Sequence, residues 1–152
     1  MNVTIICVGK LKEKFWQDAA EEYIKRLGRF CKTEIIELQE SKTDSSTEES
    51  TAILAQMTKL PKGCRKVALD VGGKKMSSEG LASYISEMAV GGTSSLCFVI
   101  GGSNGFDDSV RKAADMRLSF SDFTFPHQLM RVILLEQVYR AFKINAGEKY
   151  HK

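Results

Sequence analysis

The sequence predicts an α/β fold, a mostly parallel sheet flanked by helices. Three observations carry that prediction. Strand-like apolar runs alternate with segments of helical periodicity from one end of the chain to the other. Glycine pairs follow the third and fourth strand-like runs, where a chain leaving a strand must turn. The length of 152 residues suits one domain of this type spanning 1–152, with no repeat, low-complexity tract or linker to divide it.

The elements follow in order. Val3–Val8 reads as a strand; it has no basic lead and no cleavage site, so it is not read as a signal peptide. Lys14–Leu27 reads as a helix, with Phe15, Ala19, Tyr23 and Leu27 four apart on one stripe. Thr33–Leu38 is a second strand and Ser41–Ser46 a polar loop. Ser46 with Glu49 makes a capping box that opens a helix running to about Leu60, where Pro61-Lys62-Gly63 stops it. Arg65–Val71 is the third strand, followed by Gly72-Gly73 and a helix over Ser78–Val90. Gly91-Gly92 leads to the strand Ser95–Ile100, a glycine-rich turn and a short helix over Asp107–Ala114. Met116–Phe120 is the fifth strand, and Gln128–Ile144 the last helix, with Leu129, Val132, Leu135, Tyr139 and Phe142 as its apolar stripe.

Composition excludes some classes of function. Hydrophobic content of 43% with 27% charged residues fits a soluble globular protein, and no apolar run approaches the ~20 residues of a membrane span. Cys7, Cys31, Cys64 and Cys97 are widely spaced without a C-x-x-C pair, which points to reduced, buried thiols and a cytoplasmic protein. With two histidines and no thiol cluster, no zinc site is expected. The net charge is only +3, but the basic residues crowd two regions, Lys10–Lys32 and Arg131–Lys152. A solvated helix surface and a phosphate-backbone footprint both account for them, and composition does not choose.

In open α/β sheets ligands bind at the carboxyl ends of strands. Three such ends are chemically unusual here: Leu69-Asp70-Val71-Gly72-Gly73-Lys74, Ile100-Gly101-Gly102-Ser103-Asn104-Gly105-Phe106, and Ser119-Phe120-Ser121-Asp122-Phe123-Thr124-Phe125-Pro126. Glycines admit close approach of backbone to a ligand, and Leu69, Ile100 and Phe125 offer surfaces for a flat ring. For each glycine pair a tight turn is the plainer reading. Gly101-Gly102…Gly105 is not G-x-G-x-x-G, Gly73-Lys74 lacks a following Ser or Thr, and no Ser or Cys sits in a nucleophile elbow. Dehydrogenase, NTPase and covalent-hydrolase chemistry are disfavoured accordingly.

The chain ends Gly147-Glu148-Lys149-Tyr150-His151-Lys152, an aromatic, an imidazole and two ammonium groups beside the terminal carboxylate. At the other end of the last helix stand Pro126 and His127, the latter read as a cap or packing residue. Glu136 and Arg140, four apart, should pair on the helix surface.

These segments together resemble the small bacterial SPOUT methyltransferases that modify a pseudouridine of large-subunit ribosomal RNA at N3. The resemblance is carried by Leu69-Asp70…Gly72-Gly73-Lys74, Phe98-Val99-Ile100-Gly101-Gly102…Gly105-Phe106, Ser119-Phe120-Ser121…Thr124-Phe125-Pro126-His127…Arg131…Glu136-Gln137…Tyr139-Arg140-Ala141 and the ending Tyr150-His151-Lys152. It spans the whole chain, and the C-terminal half is its specific part. It implies a C-terminal trefoil knot, which general topology rules argue against. It further implies S-adenosylmethionine as cofactor, a homodimer with its active site near the subunit interface, and 23S rRNA, within the assembled ribosome, as partner. On the matching positions, the cofactor contacts fall at Leu69, Gly102, Ser121, Asp122, Phe123, Thr124, Phe125 and Pro126. A sulfonium methyl is already activated, so the protein must align it and help the imide N3–H lose its proton; no metal is needed. Candidates for that help are His127, Arg131, Arg140, Tyr150 and His151, with Arg140, Tyr150 and His151 ranked as the substrate-side groups. Two other readings stay open: a non-enzymatic RNA-binding domain, and a methyltransferase of the same fold acting on another RNA.

Overall fold

Five strands and five helices alternate in the computed structural model, which describes residues 1–152. They are β1 (Asn2–Val8), α1 (Lys14–Leu27), β2 (Lys32–Leu38), α2 (Ser46–Met57), β3 (Arg65–Lys75), α3 (Ser78–Val90), β4 (Ser95–Ile100), α4 (Asp108–Ala113), β5 (Met116–Ser119) and α5 (His127–Asn145). All pairings are parallel and the strand order is β2-β1-β4-β3-β5. Every strand therefore ends at the same edge of the sheet, and loops distant in sequence meet there.

Side-chain alternation divides the core into two layers. Val3, Ile5 and Cys7 of β1, with Leu96, Phe98 and Ile100 of β4, pack under α1, α3 and α5. Ile6 and Val8 of β1, with Cys97 and Val99 of β4, pack under α2 and α4. The central strands β1 and β4 are thus apolar on both faces, as strands covered by helices must be. Each fully buried side chain of this kind, such as Phe98 or Ile5, contributes about 1.5–3 kcal/mol. The four cysteines are unbridged and buried, and burial pushes the Cys7 and Cys97 thiols up to about 11 and about 12. No helix is long and apolar enough to cross a membrane.

Most boundaries agree with the sequence reading to within a residue or two, and the differences have physical causes. On α1, Phe15 is 63% exposed, while Ala20 and Leu27 are buried with Trp16, Tyr23 and Ile24 against the core. The expected stripe was one residue out at its start, because α5 covers the neighbouring face. The cap of α2 is Ser45, whose hydroxyl accepts the N–H of Glu48. Glu49 turns inward instead, and its Oε2 accepts the N–H of Ser41 at 2.8 Å.

β3 runs on to Lys75, past the glycines expected to end it. Leu118 of β5 lies opposite both Leu69 and Lys74, so Asp70–Gly73 bulge out of the ladder. Gly73 lies flat on β5: a Cβ there would come within 2.7 Å of the Arg117 carbonyl carbon and oxygen. No residue with a side chain fits that contact.

α5 lies between α1 and α3. Its buried residues are Arg131, Leu134, Leu135, Val138, Tyr139 and Ala141, whereas Leu129, Val132 and Phe142 of the expected stripe are half-buried. Arg131 is the unexpected member. It is 2% exposed, donating from Nη1 to Glu37 at 2.6 Å and from Nη2 to the Gly9 carbonyl at 2.8 Å. It ties α5 to the ends of β1 and β2 and is not presented to a substrate.

Candidate functional site

The carboxyl ends of β3, β4 and β5, neighbours in the sheet, enclose a cavity of about 740 Å³. That volume is in the range of sites for small organic ligands. One wall is the β3 end, Leu69-Asp70-Val71; another is Ile100–Ser103 with Gly105 and Phe106; the third is Leu118–Ser121 with Phe123–Pro126. His127 and Met130 of α5 and Arg111 of α4 complete it.

Each wall is set by its local sequence. The β3 wall is the bulge, which carries Asp70 out of the ladder. The β4 wall is a tight turn closed by Gly105 N–H on the Gly102 carbonyl at 2.9 Å, with Gly105 in the left-handed region at φ +69°. A Cβ on Gly102 would point away from the cavity, 3.0 Å from Val8 Cγ1 and 3.3 Å from Glu49 Oε1. Glycine thus lets Val8 and Glu49 pack close beneath the loop, where a larger residue would push them aside. In the third wall the Ser119 hydroxyl donates to the Ser121 carbonyl at 3.2 Å, and Ser121 Oγ accepts the N–H of Phe123 at 3.0 Å. These short bonds fold Ser121–Pro126 back over the sheet edge to the start of α5, where Pro126 stands at the N-cap.

Of the residues singled out for cofactor contact, Leu69, Gly102, Ser121, Phe123, Thr124, Phe125 and Pro126 line the cavity. Asp122 does not. It is exposed and paired with Lys75 at 2.6 Å. Phe123 and Val71, 75% and 55% exposed, form an apolar rim.

The residues singled out for the substrate side form a separate cluster at the far end of α5. Arg140 donates to Glu136 Oε1 from Nε at 3.0 Å and from Nη2 at 2.6 Å, a pairing more enclosed than the expected surface pair. The Tyr150 hydroxyl donates to the same oxygen at 3.2 Å. Its ring stands edge-on to Tyr139 with centroids 5.0 Å apart, and the Arg140 guanidinium covers it at 4.7 Å. Burial and the Glu136 carboxylate beside it raise the Tyr150 pKa, so the phenol is held as a donor. His151 Nδ1 is 3.2 Å from Arg140 Nη1 and Nε2 is 2.6 Å from Glu79. An arginine has no acceptor, so in this arrangement Nδ1 accepts and Nε2–H donates to Glu79. The chain terminus is docked, not free. None of Arg140, Tyr150 and His151 lines the cavity. His127 and Arg140 are thirteen residues apart on one helix, which separates the two groups by about 20 Å.

His127 sits in the cavity wall, its side chain 16% exposed and Nε2 3.5 Å from Glu40 Oε1, without a hydrogen bond. Phe106 lies at the end of the β4 segment singled out from the sequence, whereas Arg111 and Met130 carry no sequence signal as wall residues. Arg111 and Met130 come from helices, and only the packing of α4 and α5 beside the strand ends brings them there.

An all-parallel sheet with a ligand-sized cavity at its strand ends, walled on one side by the loop between β5 and α5, defines an α/β protein with a candidate small-molecule site at the sheet edge. A family profile described as "Predicted SPOUT methyltransferase" matches residues 1–151. The chain belongs to that family. Relatives called "Ribosomal RNA large subunit methyltransferase H" cover it end to end: those of Clostridium novyi (strain NT), Clostridioides difficile (strain 630) and Bifidobacterium adolescentis are 52%, 50% and 49% identical, each over 100% of both chains. Among solved structures, the SpoU methyltransferase AviRb from Streptomyces viridochromogenes shares the fold at a TM-score of 0.50 and 10% identity. That match covers 98% of this chain and 62% of the other.

Proposed function

We infer that this protein transfers a methyl group from S-adenosylmethionine to large-subunit ribosomal RNA, at N3 of a pseudouridine in 23S rRNA. Identity near 50% over complete lengths to proteins bearing the methyltransferase H name carries this reading. The cavity supports the cofactor: its volume, its apolar faces from Leu69, Ile100 and Phe125, and the exposed backbone of the glycine turn suit an adenosine. Leu69, Gly102 and Ser121–Pro126 are the residues that would hold it, with Asp122 contributing through backbone position only.

When bound, the cofactor supplies a methyl group already activated on a sulfonium. What the chain must add is alignment and relief of the negative charge that builds on the imide as N3–H is lost. Arg140 supplies a fixed cation for that charge, and Tyr150 a phenol held protonated. His151 is held between Arg140 and Glu79, where it orients the guanidinium. The separation of about 20 Å from the cavity supports a homodimer in which the tail of one subunit meets the cavity of the other. In this reading residues 1–152 act as one domain, the segment from β5 through α5 is threaded as a trefoil knot, and the protein works in the cytoplasm on the assembled ribosome.

The test is to map methylated nucleotides of large-subunit rRNA in a strain lacking the gene and in the complemented strain. One N3-methylpseudouridine should vanish and return. An unchanged methylation pattern overturns the proposal. A strictly monomeric mass by light scattering, in an active preparation at micromolar concentration, overturns the dimer.

A further inference from the structure

Among the side chains lining the cavity, one carboxylate and one permanent cation stand out, Asp70 and Arg111, and they stand together. Arg111 Nε donates to Asp70 Oδ2 at 3.0 Å. Arg111 Nη1 donates to Asp108 at 2.9 Å, and its guanidinium lies over the Phe106 ring at 5.2 Å. Two anchors and a stacking face fix its plane, while Nη2 has no partner in the protein. Asp70 is likewise fixed. Its Oδ2 also takes Arg117 Nη1 at 3.3 Å, whereas Oδ1 accepts only the Gly72 N–H at 3.3 Å and has room for a second donor. Its side chain is 12% exposed.

S-adenosylmethionine carries three charges: a sulfonium, an α-ammonium and an α-carboxylate. The carboxylate is its only anion. Placing the sulfonium beside Arg111 would set two like charges together in an enclosed site, so that part of the molecule belongs against the uncharged walls. We propose that Asp70 and Arg111 bind the α-amino-acid end of the cofactor, Arg111 Nη2 donating to the carboxylate and Asp70 Oδ1 accepting from the ammonium. The inference rests on the methyltransferase reading above and extends it to the cavity end that the adenosine does not occupy. The bulge at Asp70–Gly73 has a role in it: were β3 to continue in register, Asp70 would stay in the ladder with β5. Arg117 acts as a positioning residue, since it reaches Asp70 and does not line the cavity.

A nucleic-acid phosphate is the other anion that two arginines could meet, and the test separates the two. Calorimetry is run on wild type, Arg111→Met and Arg111→Lys with three ligands. These are S-adenosylmethionine, its decarboxylated analogue and 5′-methylthioadenosine, which lacks the whole amino-acid end. Wild type should prefer S-adenosylmethionine over the decarboxylated form by about tenfold or more, the scale of a charge-assisted hydrogen bond. Arg111→Met should lose that preference and bind methylthioadenosine as wild type does, which also shows that it is folded. Arg111→Lys should keep part of the preference. Ribosome pelleting by the Met variant should be unchanged. A preserved preference in Arg111→Met overturns the assignment, and a preserved preference with weakened ribosome binding assigns the arginine to phosphate. Wild type that binds none of the three ligands overturns the methyltransferase reading along with it.

Discussion

Deleting Tyr150-His151-Lys152 separates the two halves of the proposed site. The terminus is docked through Tyr150. The edge-on pair with Tyr139 at 5.0 Å is worth about 0.5–1.5 kcal/mol, and the Arg140 cation over the ring about 0.5–1 kcal/mol. The hydroxyl bond to the Glu136 carboxylate adds about 1.5–3 kcal/mol. These contacts share atoms and do not add, so the deletion should cost roughly 2–4 kcal/mol. Against a typical stability of about 5–15 kcal/mol the protein stays folded, and its Tm should fall by roughly 5–12 °C. None of the three residues lines the cavity of its own subunit, and in the proposed dimer they meet the partner's cavity from the substrate side, so calorimetric affinity for S-adenosylmethionine should change less than about twofold. Single-turnover methylation of ribosomes from a strain lacking the enzyme should fall by at least about 10²-fold, since the substrate-side phenol and imidazole are lost and Arg140 keeps only its Glu136 partner. A truncated protein that methylates at the wild-type rate refutes the role of the tail. Cofactor affinity that collapses while the fold persists refutes the separation of the two sites.

Three further outcomes are expected. Arg131→Ala should cost about 3–5 kcal/mol in urea unfolding because it removes the buried partner of Glu37 and of the Gly9 carbonyl, while Arg131→Met combined with Glu37→Leu should recover most of that loss. Gly102→Ala should destabilise by about 1–3 kcal/mol through contact with Val8 and Glu49, and Val8→Ala in the same chain should reduce the increment; a Tm equal to wild type would show that the loop yields freely. Asp70 is the pH-sensitive member. Burial opposes its charge, but the bonds from Arg111 and Gly72 and the charges of Arg111 and Arg117 outweigh it, so its folded pKa lies below the usual carboxylate value of about 3.9. Its contribution is present above that value and is lost as pH falls through it toward the folded pKa. Unfolding free energy measured from pH 5 down to pH 3 should therefore fall less steeply in Asp70→Asn than in wild type.

Local chemistry determined much of this protein from its sequence. The bounds of α1, α3 and β4 follow from apolar periodicity and from the glycines and serines that flank them, signals that act within a few residues. The three strand ends that build the cavity were legible for the same reason, because glycine and small-residue runs after apolar strands mark the edge of a parallel sheet. What the sequence did not disclose is what depends on neighbours distant along the chain. Its charge places Arg131 among the basic residues open to substrate or solvent, and only the packing of α5 over the ends of β1 and β2 makes it a buried tie. Phe15 and Trp16 are equally apolar, and the position of α5 decides which faces the core. The run Gly72-Gly73 reads as a stop, yet β3 bulges through it with Gly73 against the β5 backbone and pairs again at Lys74. Arg111 looks like any cation on a short helix until α4 sets it against Asp70, 41 residues away. The terminus reads as solvated because it holds so few apolar atoms. Tyr139, Glu136 and Glu79, from two helices, supply the surface that docks it, and that surface exists only once α3 and α5 are packed side by side.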